Sequence, residues 1–139
     1  MRFEGVRVFK LPFKRFKNGA AMTIPGIGIF VGRGWESNLG LLRHEFGHIL
    51  QYRKWGFLLF WRQIAPDSLK SAWKAEKSIL NHMETWTEWS ANKLSFDYFN
   101  QPDNWNFFQF PIKPPIGSLT GKPKFTVDND EFVREWLEG

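Results

Sequence analysis

The stretch Arg43-His44-Glu45-Phe46-Gly47-His48 sets two of the chain's three histidines four residues apart, with a glutamate directly after the first. On an α-helix, residues i and i+4 share a face, so both imidazoles can reach one metal ion. Glu45 stands on the adjoining face. A carboxylate there can take a proton from a metal-activated water and pass it to a leaving group. Zinc suits this chemistry, because it lowers the pKa of bound water and polarises a carbonyl. The competing reading is a solvated helix face that carries two stray histidines. Two details oppose it. Leu41, Leu42, Phe46, Ile49 and Leu50 keep helical apolar spacing through the motif. Gly47 sits mid-helix at a cost of about 1 kcal/mol relative to Ala, which makes sense where another element must approach closely.

The elements that hold this stretch follow from local signals. Residues 2–10 alternate loosely and predict a strand. Asn18-Gly19 is a turn signal, and a second strand is expected over about 27–32, punctuated by Gly26 and Gly34. The Gly-x-Gly inside it is no dinucleotide fingerprint, since Val31 takes the place of the last Gly. Ser37 or Asn38 can cap the motif helix, which begins near Leu39, runs to about Lys54 and ends at Gly56. Residues 57–65 form an aromatic segment with short-helix character. A second helix is expected over 66–82, opened by Pro66 and Asp67, and a third over 83–99. Residues 100–125 hold five prolines and predict an extended, surface-wrapping segment, and 128–138 a short final helix capped by Asp128 or Asn129. The expected architecture is one α+β domain spanning 1–139: a small N-terminal β-sheet packed on a helical bundle that contains the motif helix.

With His-Glu-x-x-His placed on a helix, the chain resembles the zincin metallopeptidases over residues 36–99. Metzincins continue the motif with Gly and a third His, but Gln51 and Lys54 stand at those positions. The resemblance is therefore to gluzincins, which take a glutamate from a later helix. Gln51 also resembles a His-x-x-Gln continuation seen in small bacterial zincin-like proteins. The resemblance implies zinc held by His44, His48 and a glutamate of the third expected helix. Glu88, in a Glu-x-x-Ala run with Ala91 able to pack beside Gly47, is preferred over Glu84 one turn earlier, which also suits the helix dipole. It implies zinc-dependent hydrolysis of a peptide or protein substrate, with Glu45 as general base. Carboxamide or carboxylate groups should orient the imidazoles through their second nitrogens, and Asn92 and Asp97 are candidates. An oxyanion stabiliser is sought among His82, Tyr52 and Tyr98. Zincins bind substrate along an edge strand ahead of the motif helix, and Gly28, Ile29, Phe30 and Val31 lie in the matching place. The alternative is a zincin-like domain that binds metal or a protein partner without turnover.

Composition bounds the remaining classes. Fifteen Phe, eight Trp and two Tyr supply a large apolar payload for 139 residues. The absence of Cys excludes disulfides and thiolate metal sites. No leader-like segment opens the chain, and its longest apolar stretch, residues 55–61, is too short to span a bilayer. Together these suggest a cytoplasmic setting. The net charge of +5 is concentrated near the N-terminus, where Arg and Lys interleave with Phe3, Phe9, Phe13 and Phe16. That arm can meet phosphates, but a strand with its cations in water explains it equally, and nothing else resembles a nucleic-acid module.

Overall fold

The computed structural model describes residues 1–12, 21–69 and 86–113. Strands β1 (Arg2–Phe3), β2 (Val6–Leu11), β3 (Ala21–Ile24) and β4 (Gly28–Gly32) are followed by helices α1 (Leu39–Leu59) and α2 (Trp86–Tyr98). The sheet order is β1-β2-β4-β3, with β2 and β4 parallel and the two outer pairs antiparallel. The fold is thus α+β, an N-terminal sheet packed on a helical region, with His44, Glu45 and His48 on one helix and Glu88 on another.

Two local readings change. The single strand expected over 2–10 is a hairpin, because Glu4 and Gly5 take positive φ values of 49° and 79° and turn the chain. A further strand, β3, precedes β4 and joins it through the tight connection Pro25-Gly26-Ile27, where Ile27 N donates to Ile24 O. β4 therefore lies inside the sheet, bonded to β2 on one side and β3 on the other. The expectation that Gly28, Ile29, Phe30 and Val31 form an open substrate strand is corrected by this topology. Both of its backbone rails are already used. Among the described residues the outer strand on that side is β3.

Asn38 caps α1 by accepting from Leu41 N at 3.0 Å. The helix then presents different chemistry to its two neighbours. Leu42, Phe46 and Ile49 pack with Val8, Ile29 and Val31 of the sheet in one apolar core. His44, Gly47, His48 and Gln51 turn the other way, toward α2. Helical geometry breaks at Gly56, whose φ of 88° and ψ of 174° lie outside the helical region, and helix resumes beyond it through a π-helical segment, Phe60–Ile64. Phe60 and Ile64 bury against Trp86 and Trp89 in a second core. Residues 65–69 are helical, and the rest of the helix expected over 66–82 lies outside the described residues, as do the final helix at 128–138 and the segment 114–125. Residues 101–113 form turns rather than an extended run, anchored by buried Trp105 and Phe110.

Gly47 is where the two helices meet. A Cβ built there would be driven into the Ala91 carbonyl and lie 3.0 Å from Ala91 Cα, backbone that cannot swing aside. Replacing Gly47 by Ala gains helix propensity but forces α1 and α2 apart. We expect Gly47→Ala to lower unfolding stability by about 2–3 kcal/mol, read as a shifted urea midpoint, and to weaken zinc binding in the same protein. An unchanged midpoint would mean that the helices do not pack here.

Candidate metal centre

The histidines reach one point because α1 is regular across 44–48, and the glutamate reaches it because α2 docks on Gly47. His44 Nε2 lies 3.4 Å and His48 Nε2 3.3 Å from the same oxygen, Oε1 of Glu88. A tetrahedral ion with bonds near 2.0–2.1 Å spaces its ligand atoms by about 3.3 Å. Both imidazole nitrogens thus already stand from the Glu88 oxygen at the separation that such an ion needs. Ligand atoms of His44, Glu45 and His48 also lie within 4.8 Å of one another, in one cluster of buried residues. Glu45 is set apart from the convergence point, its Oε1 3.8 Å from His44 Nε2. Its Oε2 instead accepts a hydrogen bond from Thr23 Oγ1 of β3 at 2.6 Å, and the same hydroxyl lies 3.0 Å from Glu45 O.

The protonation of both rings follows from their neighbours. Asn92 Nδ2 donates to the carbonyl of Pro111, a group that can only accept, so Asn92 Oδ1 is the atom that faces His44 Nδ1 at 2.6 Å. Gln51 Nε2 donates to the carbonyl of Thr87 and to Ser90 Oγ, so Gln51 Oε1 faces His48 Nδ1 at 2.8 Å. Each Nδ1 must therefore carry the proton, and each Nε2 offers its lone pair toward Glu88. Glu88 is arranged in the same sense. Its Oε2 accepts from Thr87 Oγ1 at 2.7 Å and Ser68 Oγ at 2.9 Å, which leaves Oε1 toward the imidazoles. Two lone pairs and a carboxylate oxygen aimed at one buried point repel unless a cation lies among them. The donor set fits a divalent metal.

No family model, curated protein or solved structure matches this chain. The site is therefore read from its own geometry.

The candidates separate cleanly. Asn92 meets His44. Asp97 does not reach the site: it lies at the surface, paired with Lys93 at 3.2 Å. Tyr98 is also elsewhere. Its hydroxyl donates to Glu4, a bond that raises its pKa, and its ring packs on Phe46. Tyr52 packs against Phe57 and Phe60. His82 and Glu84 lie outside the described residues. Sequence reasoning noted Gln51 as the residue at the metzincin glycine position and as part of a His-x-x-Gln continuation, but gave it no contact with the imidazoles, and it passed over Thr87, Ser90, Ser68 and Thr23. Gln51 had a usable signal, since position i+3 from His48 lies on the same helix face. Thr23 and Ser68 had none, because both arrive from remote segments.

Without metal, a proton takes the cation's place. Burial pushes His48 toward the neutral form, but the charge of Glu88 and its hydrogen bond, helped by Glu45 and Gln51, outweigh it and raise the pKa from 6.5 to about 9. A raised folded-state pKa stabilises the fold fully below pH 6.5, and that contribution is lost as pH climbs through about 9. The melting temperature of the metal-free protein should therefore fall between these values more steeply than that of the zinc-loaded protein, and zinc uptake at pH 7.5 should release a proton measurable in weak buffer. Gln51→Leu, which strands His48 Nδ1 and the Thr87 carbonyl, should weaken zinc about 10- to 100-fold in chelator competition.

Proposed function

We propose that the protein is a zinc-dependent peptidase in which His44, His48 and Glu88 hold the ion and Glu45 is the general base. The observation that carries this reading is the division of labour between the two glutamates. Glu88 converges with both imidazoles, whereas Glu45 stands beside them with its carboxylate held by Thr23. Structural zinc sites close with four protein ligands, whereas catalytic sites keep three and leave one position open. When bound, zinc would lower the pKa of water and polarise the substrate carbonyl. Glu45 would take the proton of the attacking water and return it to the amine that leaves, as its position beside the donor set allows.

The place of the substrate follows from β3. It is the outer strand on this side among the described residues, and it carries the hydroxyl that touches Glu45. An extended peptide paired to β3 would run past the general base. The edge-strand role thus moves from β4 to β3. The non-catalytic reading draws on one observation, the deep burial of the cluster, with His44 at 2 % and Glu45 at 5 % exposure. One experiment separates the two. Glu45→Gln should keep stoichiometric zinc and lose peptide hydrolysis by about 10²-fold or more against a peptide library. Hydrolysis that survives this substitution would remove Glu45 from the mechanism. A wild-type protein that binds zinc and cleaves nothing in the library would favour the non-catalytic reading.

A further inference from the structure

Two glutamates stand at the donor cluster, and by distance either could reach an ion there. Glu88 Oε1 lies 3.4 Å from His44 Nε2 and 3.3 Å from His48 Nε2. Glu45 Oε1 lies 3.8 Å from His44 Nε2, and Glu45 shares with both histidines a cluster whose ligand atoms fall within 4.8 Å of one another. Donors bound to a tetrahedral zinc ion stand about 3.3 Å apart. A small rotation of the Glu45 carboxylate would therefore bring it to ligand spacing. A fourth protein ligand closes a zinc site, whereas three leave a position open.

What separates the two is the hydrogen bonding of the other oxygen. Glu88 Oε2 accepts from Thr87 Oγ1 and Ser68 Oγ, which turns Oε1 toward the imidazoles. Glu45 Oε2 accepts from Thr23 Oγ1 at 2.6 Å, which draws its carboxylate toward the sheet. The same hydroxyl lies 3.0 Å from Glu45 O. It has one proton to give, and the closer, charged acceptor takes it. Among the described residues this hydroxyl is the only hydrogen-bond donor to the Glu45 carboxylate. Glu45 is 5 % exposed, so little water can replace the bond if the hydroxyl is lost. A buried carboxylate left without a donor beside a divalent cation is stabilised by binding that cation.

We infer that Thr23 keeps Glu45 out of the ligand set: its hydroxyl holds the carboxylate toward β3 and so keeps the fourth position of the centre open. Thr23 is a positioning residue that acts through Glu45 and supplies no donor of its own. The inference rests on the proposed ligands His44, His48 and Glu88, and not on whether the site hydrolyses anything. It differs in sign from an ordinary packing role. A hydroxyl that only ties β3 to α1 would, when removed, loosen the helix and weaken metal binding. A hydroxyl that restrains a fourth ligand would, when removed, tighten it.

The test is metal binding by the full chain. Thr23→Val removes the hydroxyl, keeps the shape and suits a strand. It should bind zinc about tenfold more tightly than the wild type in chelator competition. Thr23→Ala should behave in the same way, whereas Thr23→Ser, which keeps the hydroxyl, should match the wild type. Adding Glu45→Gln to Thr23→Val should abolish the gain. In the cobalt(II)-loaded wild type, azide should enter the open position and shift the visible absorption bands. In cobalt(II)-loaded Thr23→Val the bands should not respond. The inference is overturned if zinc binds no more tightly to Thr23→Val and Thr23→Ala than to the wild type, or if the gain survives Glu45→Gln. It is also overturned if azide leaves the wild-type bands unmoved, or moves those of Thr23→Val equally. A wild type that takes up neither zinc nor cobalt(II) would instead bring down the ligand set, and this inference with it.

Discussion

The close approach of α1 and α2 at Gly47 and Ala91 is the constraint on which the centre depends. The histidines are local to α1 and need only helical geometry. Glu88 arrives from a different helix, and its carboxylate meets both imidazoles because no side chain at residue 47 holds the backbones apart. The interface that this contact creates is unusual in composition. Thr87, Glu88, Ser90, Asn92 and Ser95 are all buried on α2. A helix face of this polarity gains little from apolar burial, and each group must find a partner or leave an expensive vacancy. Most of the partners belong to α1: Gln51 for Ser90 and for the Thr87 carbonyl, the Arg43 carbonyl for Ser95, and the imidazoles for Glu88 and Asn92. The apolar work is done elsewhere, by the sheet-facing side of α1 and by the tryptophan cluster.

This division explains how a small domain can hold two imidazoles with the same ring nitrogen turned toward the centre. Two carboxamides are each pinned by a backbone carbonyl that cannot donate, so neither can flip without losing a buried bond. The direction of the lone pairs at the centre is set some distance away, at Pro111 and Thr87. The loop 101–113 therefore has a part in the site although it supplies no donor. Phe110 packs on the His44 ring and against Gly40, and its carbonyl accepts from Trp105, which keeps the loop seated.

Much of this was legible before any coordinates. His-Glu-x-x-His, the Asn38 cap and the misplaced glycine are local signals, and local signals survive folding. Sheet order is not local. The Glu4-Gly5 turn splits one expected strand in two, and β3 is four residues long between the Asn18-Gly19 turn signal and Gly26, so the edge was assigned to β4. The expectation for Asp97 failed for a simpler reason. Nine residues after Glu88, it lies about 180° around the helix from the carboxylate. Asn92, four residues on, keeps the same face. Helical arithmetic alone separates those two, whereas Thr23 and Ser68 enter the centre only through tertiary packing that no spacing encodes.

The donors are spread unevenly along the chain, and that bears on how the protein reaches its fold. His44 and His48 come together as soon as one helix forms, whereas Glu88 lies forty residues beyond His48. A cation held by all three closes that long loop, much as a covalent cross-link would, and removes chain entropy from the unfolded ensemble. Two of the three donors are thus ready early, and the third waits for the second helix to dock on the first. A cation bound there would then also be the last structural tie of the fold.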